Sequence, residues 1–144
     1  MRFKFAMITV SILFSCLAIA ESCPDLTGKW LVHGGNPAKW QDVLIITQNQ
    51  CQSLNYSWME FPLTGVAIRQ PKMPTYPFLF SGSVQSTGSI ALYEKEDLHY
   101  KQCAPFQYWF LKLINAKKLQ ETVRLVNCDG SINFEETKTY TIID

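Results

Sequence analysis

The side chains best equipped for chemistry in this chain are its cysteines, its two histidines and one knot of carboxylates. Cys23, Cys51, Cys103 and Cys128 follow an apolar leader, and an even number of cysteines in an exported domain reads as two disulfides. Zinc is the competing chemistry. No two of the four stand at C-x-x-C spacing, and His33 and His99 are isolated, so no metal site is expected. Any Ser-His-Asp arrangement would have to use one of those histidines, and no G-x-S-x-G motif supports it. Glu94, Glu96 and Asp97 could attract calcium, but they lack the EF-hand spacing and its glycine, which favours a solvated hairpin tip. Other carboxylates could pair in space as acid and base, which spacing alone does not reveal. No cofactor is implied, and an enzyme is the least favoured function class. Asn55-Tyr56-Ser57 fits a glycosylation acceptor, relevant only in a eukaryotic secretory pathway.

The leader sets the compartment. Arg2 and Lys4 form a positive n-region, Phe5 to Leu17 an apolar h-region, and Ala18-Ile19-Ala20 places small residues where a signal peptidase needs them. Cleavage is expected after Ala20, leaving residues 21–144 as a single domain that is secreted or periplasmic. The apolar run is too short for a confident membrane span, and no later segment of the mature chain is apolar enough to make one. A rival reading takes Leu13-Phe14-Ser15-Cys16 as a lipoprotein box with Cys16 acylated; bulky Phe14 and the apolar residues that follow argue against it.

Removing the leader changes the charge. Of 13 Lys and Arg, Arg2 and Lys4 leave with the signal, so 11 remain against 12 Asp and Glu, a net charge of −1. The basic residues are scattered, with only Lys117 and Lys118 adjacent, and this gives no electrostatic footprint for nucleic acid or anionic lipid. A mature chain of about 124 residues suffices for one hydrophobic core, and a monomer is expected.

The elements that must position these residues are almost all strands. β-Branched and aromatic runs bounded by turn residues predict strands at Lys29–His33, Val43–Gln48, Gln52–Trp58, Thr64–Ile68, Phe78–Val84, Ser89–Tyr93, Leu98–Gln102, Gln107–Ile114, Thr122–Asn127 and Ile132–Ile142. Asp129-Gly130 is the strongest hairpin signal. Asn115 to Gln120 reads as a helical turn or a loop. Short joints predict an antiparallel up-and-down meander of about 8–10 strands. Closure into a barrel would remove its exposed edges, and an even strand count permits it; a β-sandwich is the alternative. In a meander Cys23 and Cys51 fall at one end and Cys103 and Cys128 at the other. A disulfide needs Cα atoms within about 7 Å, so the expected pairs are Cys23–Cys51 and Cys103–Cys128, worth about 3–4 kcal/mol each in the chain-entropy model.

Asp25-Leu26-Thr27-Gly28-Lys29-Trp30-Leu31, at the start of the mature chain, resembles the G-x-W signature that opens the first strand of lipocalins and related calycin barrels. The resemblance covers about seven residues, and the T-D-Y motif of that family is missing. It implies a cup-shaped barrel with a ligand inside, in which Gly28 allows a tight backbone approach and Trp30 closes the floor. A late Arg often covers that Trp, which would nominate Arg124.

Large aromatics on alternate strand positions could line such a cup, and Trp58, Phe80, Tyr93, Tyr100 and Trp109 are the candidates for ligand contact. The same residues fill a solid core equally well, and for a domain this small the solid core is slightly favoured. The Pro-rich stretch Arg69 to Pro77 reads as a rigid rim connector or a partner-binding loop. Trp40 sits in a second loop that could reach the mouth. The leading function is therefore an exported carrier of a small apolar or amphipathic ligand, the alternative a secreted interaction or inhibitor module with a protein partner and no internal ligand.

Overall fold

The computed structural model describes residues 23–73, 75–96 and 106–143. The expected signal segment, Cys16, the expected strand Leu98–Gln102 with Tyr100, and Cys103 lie outside them. Among the described residues nine strands follow one another: β1 (Gly28–Val32), β2 (Val43–Asn49), β3 (Ser53–Tyr56), β4 (Met59–Pro62), β5 (Phe78–Val84), β6 (Ile90–Glu96), β7 (Phe106–Asn115), β8 (Lys118–Val126) and β9 (Ile132–Ile143), with one 3-10 turn at Trp40–Asp42. Every pairing is antiparallel, in the order β4-β3-β2-β1-β9-β8-β7-β6-β5. β9 returns to β1 with Trp30 opposite Ile142, which closes the meander into a barrel with a single seam between β4 and β5. No helix among the described residues is long and apolar enough to cross a membrane.

The seam follows from parity. Antiparallel closure of β1 on β9 requires an even number of passes, and nine strands supply an odd number. Thr64–Ile68 makes the tenth pass. It was expected as a full strand; instead it forms two isolated bridges to β5, Thr64 to Ser83 and Ile68 to Phe80. Its other flank meets β4 through a side chain: the buried Gln70 amide donates to Glu60 O at 2.8 Å and accepts from Glu60 N at 2.9 Å, as a neighbouring strand would. Gly82 lets this segment lie close, since a Cβ there would stand 3.1 Å from Pro62 O and 3.0 Å from Leu63 Cδ2.

Two further boundaries differ from expectation. The expected strand Gln52–Trp58 stops at Tyr56: it holds β3 and a turn at Ser57-Trp58, with Ser57 at φ 56°, after which β4 folds back on β3 as a hairpin. A non-glycine in the left-handed region gives no turn signal in the sequence. Asn115–Gln120 is not helical. The Asn115 side chain accepts from Lys117 N at 2.9 Å, turning the chain tightly enough for β8 to begin at Lys118.

Strand alternation divides the molecule into an inside and an outside. Inward positions include Trp30, Ile46, Leu54, Phe61, Phe80, Leu92, Leu111 and Leu119, all fully or almost fully buried. Phe61 packs edge-on to Phe80 at 5.3 Å and to Trp109 at 5.6 Å. This half of the barrel is a filled core. Its end is plugged by residues 23–27: Leu26 is fully buried, and its carbonyl accepts the Trp30 indole N–H at 2.9 Å. Gln48 ties the plug down, accepting from Leu26 N at 3.1 Å and donating to Pro24 O at 2.8 Å and Gln50 O at 2.7 Å.

Candidate functional site

Among the described residues, nothing caps the opposite end of the barrel. The β1–β2 loop, the Ser57-Trp58 turn, the Arg69–Pro77 loop and the β8–β9 turn all lie at this rim, because β1, β3 and β8 run towards it while β5 and β9 start from it. Below the rim is a cup of about 400 Å³. Trp40 and Gln41 stand at its lip, Phe134, Glu136 and Lys138 of β9 form one wall, and Val123 and Gln107 contribute from β8 and β7. β9 runs on past the end of β1, whose last paired residue, Val32, meets Tyr140, and Phe134 near its start is 46% exposed.

The floor is polar. Glu121 is only 2% exposed, and both of its carboxylate oxygens are engaged. Tyr140 Oη donates to Oε2 at 2.7 Å, and Tyr56 Oη donates to Oε1. Burial first, and the adjacent Glu121 charge second, push both tyrosine hydroxyls far above their ordinary range, so they remain donors at any physiological pH. Trp109 completes the floor, its ring 5.8 Å from that of Tyr56. Three strands distant in sequence thus hold one carboxylate in a fixed orientation under an aromatic-walled cup.

A second inward carboxylate, Glu94 of β6, lies opposite Gln107 and accepts from Tyr76 Oη at 3.3 Å. Desolvation raises its carboxyl above the usual range, the Tyr76 hydrogen bond partly opposing this. Tyr76 comes from the Pro-rich loop and packs on Phe78 at 4.9 Å, Phe80 at 6.1 Å and Trp58 at 6.2 Å. The loop expected as a connector or a partner contact thereby fastens β5 and β6 to the rim.

The residues nominated from sequence scatter. Trp109 lies on the cup floor. Phe80 is a core residue packed against Phe61, Trp58 is a 53% exposed rim residue, and Tyr93 faces outward against Tyr108 at 4.9 Å. Tyr100 is outside the described residues. Gly28 and Trp30 sit at the plugged end; a Cβ at Gly28 would approach Ile142 Cδ1 to 2.9 Å. Arg124 does not cover Trp30. It is out of phase with the inward residues of β8, lies 5.3 Å from the centre of the Phe110 ring on the outer wall, and pairs with Glu135. Cys23 and Cys51 are neighbouring thiols at the plugged end, not joined here. Burial and then the adjacent Cys51 push the Cys23 thiol up to about 12. Cys128 is disulfide-bonded, and its expected partner Cys103 is not among the described residues. Sequence reasoning missed Glu121, Tyr56 and Tyr140. The available signal was a charged residue in phase with an apolar set, since Leu119, Glu121 and Val123 share one face of β8.

No group of three or more His, Cys, Asp or Glu among the described residues could hold a metal ion. No family model matches the chain, nor does any curated protein or solved structure.

Proposed function

We propose that this chain is an exported binding protein, a lipocalin-like barrel that carries a small apolar or amphipathic ligand in the cup above Glu121 and Trp109. The observation that carries the reading is the division of the interior: one half is packed solid behind the Leu26 plug, while the other widens into about 400 Å³ lined by Trp40, Tyr56, Trp109 and Phe134. Such a volume falls in the range of small-molecule sites, and the aromatic side chains share its lining with polar ones, among them Gln107, Glu121, Glu136 and Lys138. The lipocalin resemblance gains support from the G-x-W position, where Gly28 and Trp30 sit at the plugged end, and from the β1–β2 loop at the open end. Export after Ala20 and oxidation of Cys23 with Cys51 and of Cys103 with Cys128 belong to the same proposal, since a staple at the plug would hold Leu26 in place.

Native mass spectrometry of the full chain expressed through a secretory pathway tests it. The expected product begins at Glu21, is lighter than the reduced chain by four hydrogens, and carries a small ligand that leaves on denaturation. A retained leader or a bare protein in every preparation would contradict the carrier reading. A second reading, docking of a protein partner, is favoured by the outer wall, where Phe106, Tyr108 and Phe110 of β7 form a continuous aromatic ladder, with ring centres 4.8 and 5.9 Å apart.

A further inference from the structure

The cup has a sign. Of the described residues lining it, Glu121 and Glu136 are acidic and Lys138 is basic, and Lys138 Nζ is already 3.1 Å from Glu136 Oε2. The wall pair cancels. The Glu121 charge is left on the floor, where its two phenol partners orient it without neutralising it. Each carboxylate oxygen accepts one phenol hydrogen bond and has capacity for another. Trp109, Phe134, Tyr56 and Tyr140 line the same cup, the two tyrosines with their hydroxyls on Glu121, and Trp40 is at the lip. Aromatic faces attract cations through their quadrupoles, more strongly where water is excluded. A carboxylate ligand would meet Glu121 as a like charge and would have to displace Glu136 from Lys138.

We propose that the cup selects a cationic amphiphile, a protonated primary amine on a short apolar body, with the ammonium donating to Glu121 and the body lying between Trp109 and Phe134. The inference rests on the carrier reading and names the ligand class of that same site. No bond is made or broken, and the buried carboxylate supplies specificity while the aromatic wall supplies affinity.

The test compares three probes that share one chain and differ only in the head group: octylammonium, octanol and octanoate, titrated calorimetrically into the full chain at pH 7. The expected result is octylammonium at least roughly tenfold tighter than octanol, as one desolvated charge-assisted contact allows, with octanoate weakest. Glu121→Gln keeps an acceptor for one phenol and a similar shape; it is expected to erase the octylammonium preference, bringing the ratio of octylammonium to octanol affinity to within about twofold of unity. Glu136→Gln, an exposed change that does not threaten folding, is expected to free Lys138 and narrow the gap between octylammonium and octanoate. Equal binding of all three probes, or tighter octanoate, overturns the cation assignment and leaves the carrier reading standing. Failure of all three to bind overturns both.

Discussion

Replacing Tyr140 with phenylalanine removes one hydroxyl from a carboxylate that water barely reaches. The lost contact is a hydrogen bond of 2.7 Å to Glu121 Oε2, and Glu121 is 2% exposed. Hydrogen bonds to charged groups contribute about 1.5–3 kcal/mol, and a buried acceptor left bare sits at the upper end of that range. Tyr140→Phe should therefore cost about 2 kcal/mol, seen as a lower urea midpoint at unchanged slope, or a fall of roughly 8 °C in melting temperature for a domain of this size. Tyr56→Phe strands the other oxygen and should cost a similar amount. The two losses should not add, since Tyr56 and Tyr140 share Glu121 as their hydrogen-bond partner. The triple variant Tyr56→Phe/Glu121→Leu/Tyr140→Phe replaces the whole network with apolar groups of similar size and should return to within about 1 kcal/mol of the native protein. Recovery of stability with loss of ligand binding would mean that the network serves recognition and not the fold. A change below about 0.5 kcal/mol for Tyr140→Phe, smaller than any charge-assisted hydrogen bond in a dry site, would refute the account of Glu121 as a desolvated, tyrosine-held carboxylate.

Other perturbations address the seam, the rim and the plug. Gln70→Ala leaves Glu60 N–H and C=O without their side-chain partners and should cost about 2 kcal/mol, with faster amide exchange at Glu60 and Ile68 before any change at β8. Gly82→Ala pushes a methyl to 3.1 Å from Pro62 O and should destabilise by about 1–3 kcal/mol in the same denaturation assay. Glu94 has a raised folded-state pKa, so the fold binds its proton more tightly than the unfolded chain; that contribution is present at pH below the ordinary carboxylate range and is lost as pH rises through the folded value. Glu94→Gln should accordingly melt higher than the native protein at pH 7, with the difference shrinking towards pH 4. With Cys23 pushed up to about 12, the reduced folded protein should alkylate there at pH 8 at least roughly tenfold more slowly than the unfolded chain, as mass spectrometry of the labelled peptide would show.

Strand positions were the most legible part of the sequence. Phe78–Val84 has the same bounds in the fold as in the pattern, and Asp129-Gly130 turns the chain between β8 and β9 as its glycine suggested, with φ 85° at Gly130. The Ser57-Trp58 hairpin was not legible, because Ser57 takes a positive φ with no local signal and the tertiary pairing of β3 with β4 stabilises it. The half-formed tenth pass was misread as a strand because its composition is that of a strand; only the crowding at Gly82 and the Gln70 contact with Glu60 reveal a seam. For the site, residue type was a poor guide to face. Ile90-Ala91-Leu92-Tyr93 is apolar at four successive positions, so alternation could not say that Leu92 points in and Tyr93 out. Tyr56, Glu121 and Tyr140 meet across three strands, and no short motif encodes that meeting. Phase did carry information: Glu121 interrupts an inward apolar set, and such interruptions mark where a barrel keeps something polar inside.

The most direct test of the cup as the ligand site is a two-dimensional amide and indole NMR titration of the full chain with octanol, the uncharged amphiphile. Shifts are expected at Tyr56, Trp109, Glu121 and Tyr140 and at the Trp40 indole, with the Trp30 indole beneath the core unmoved. Shifts confined to Tyr93, Tyr108 and Phe110 would put the binding surface on the outer wall and contradict the central claim.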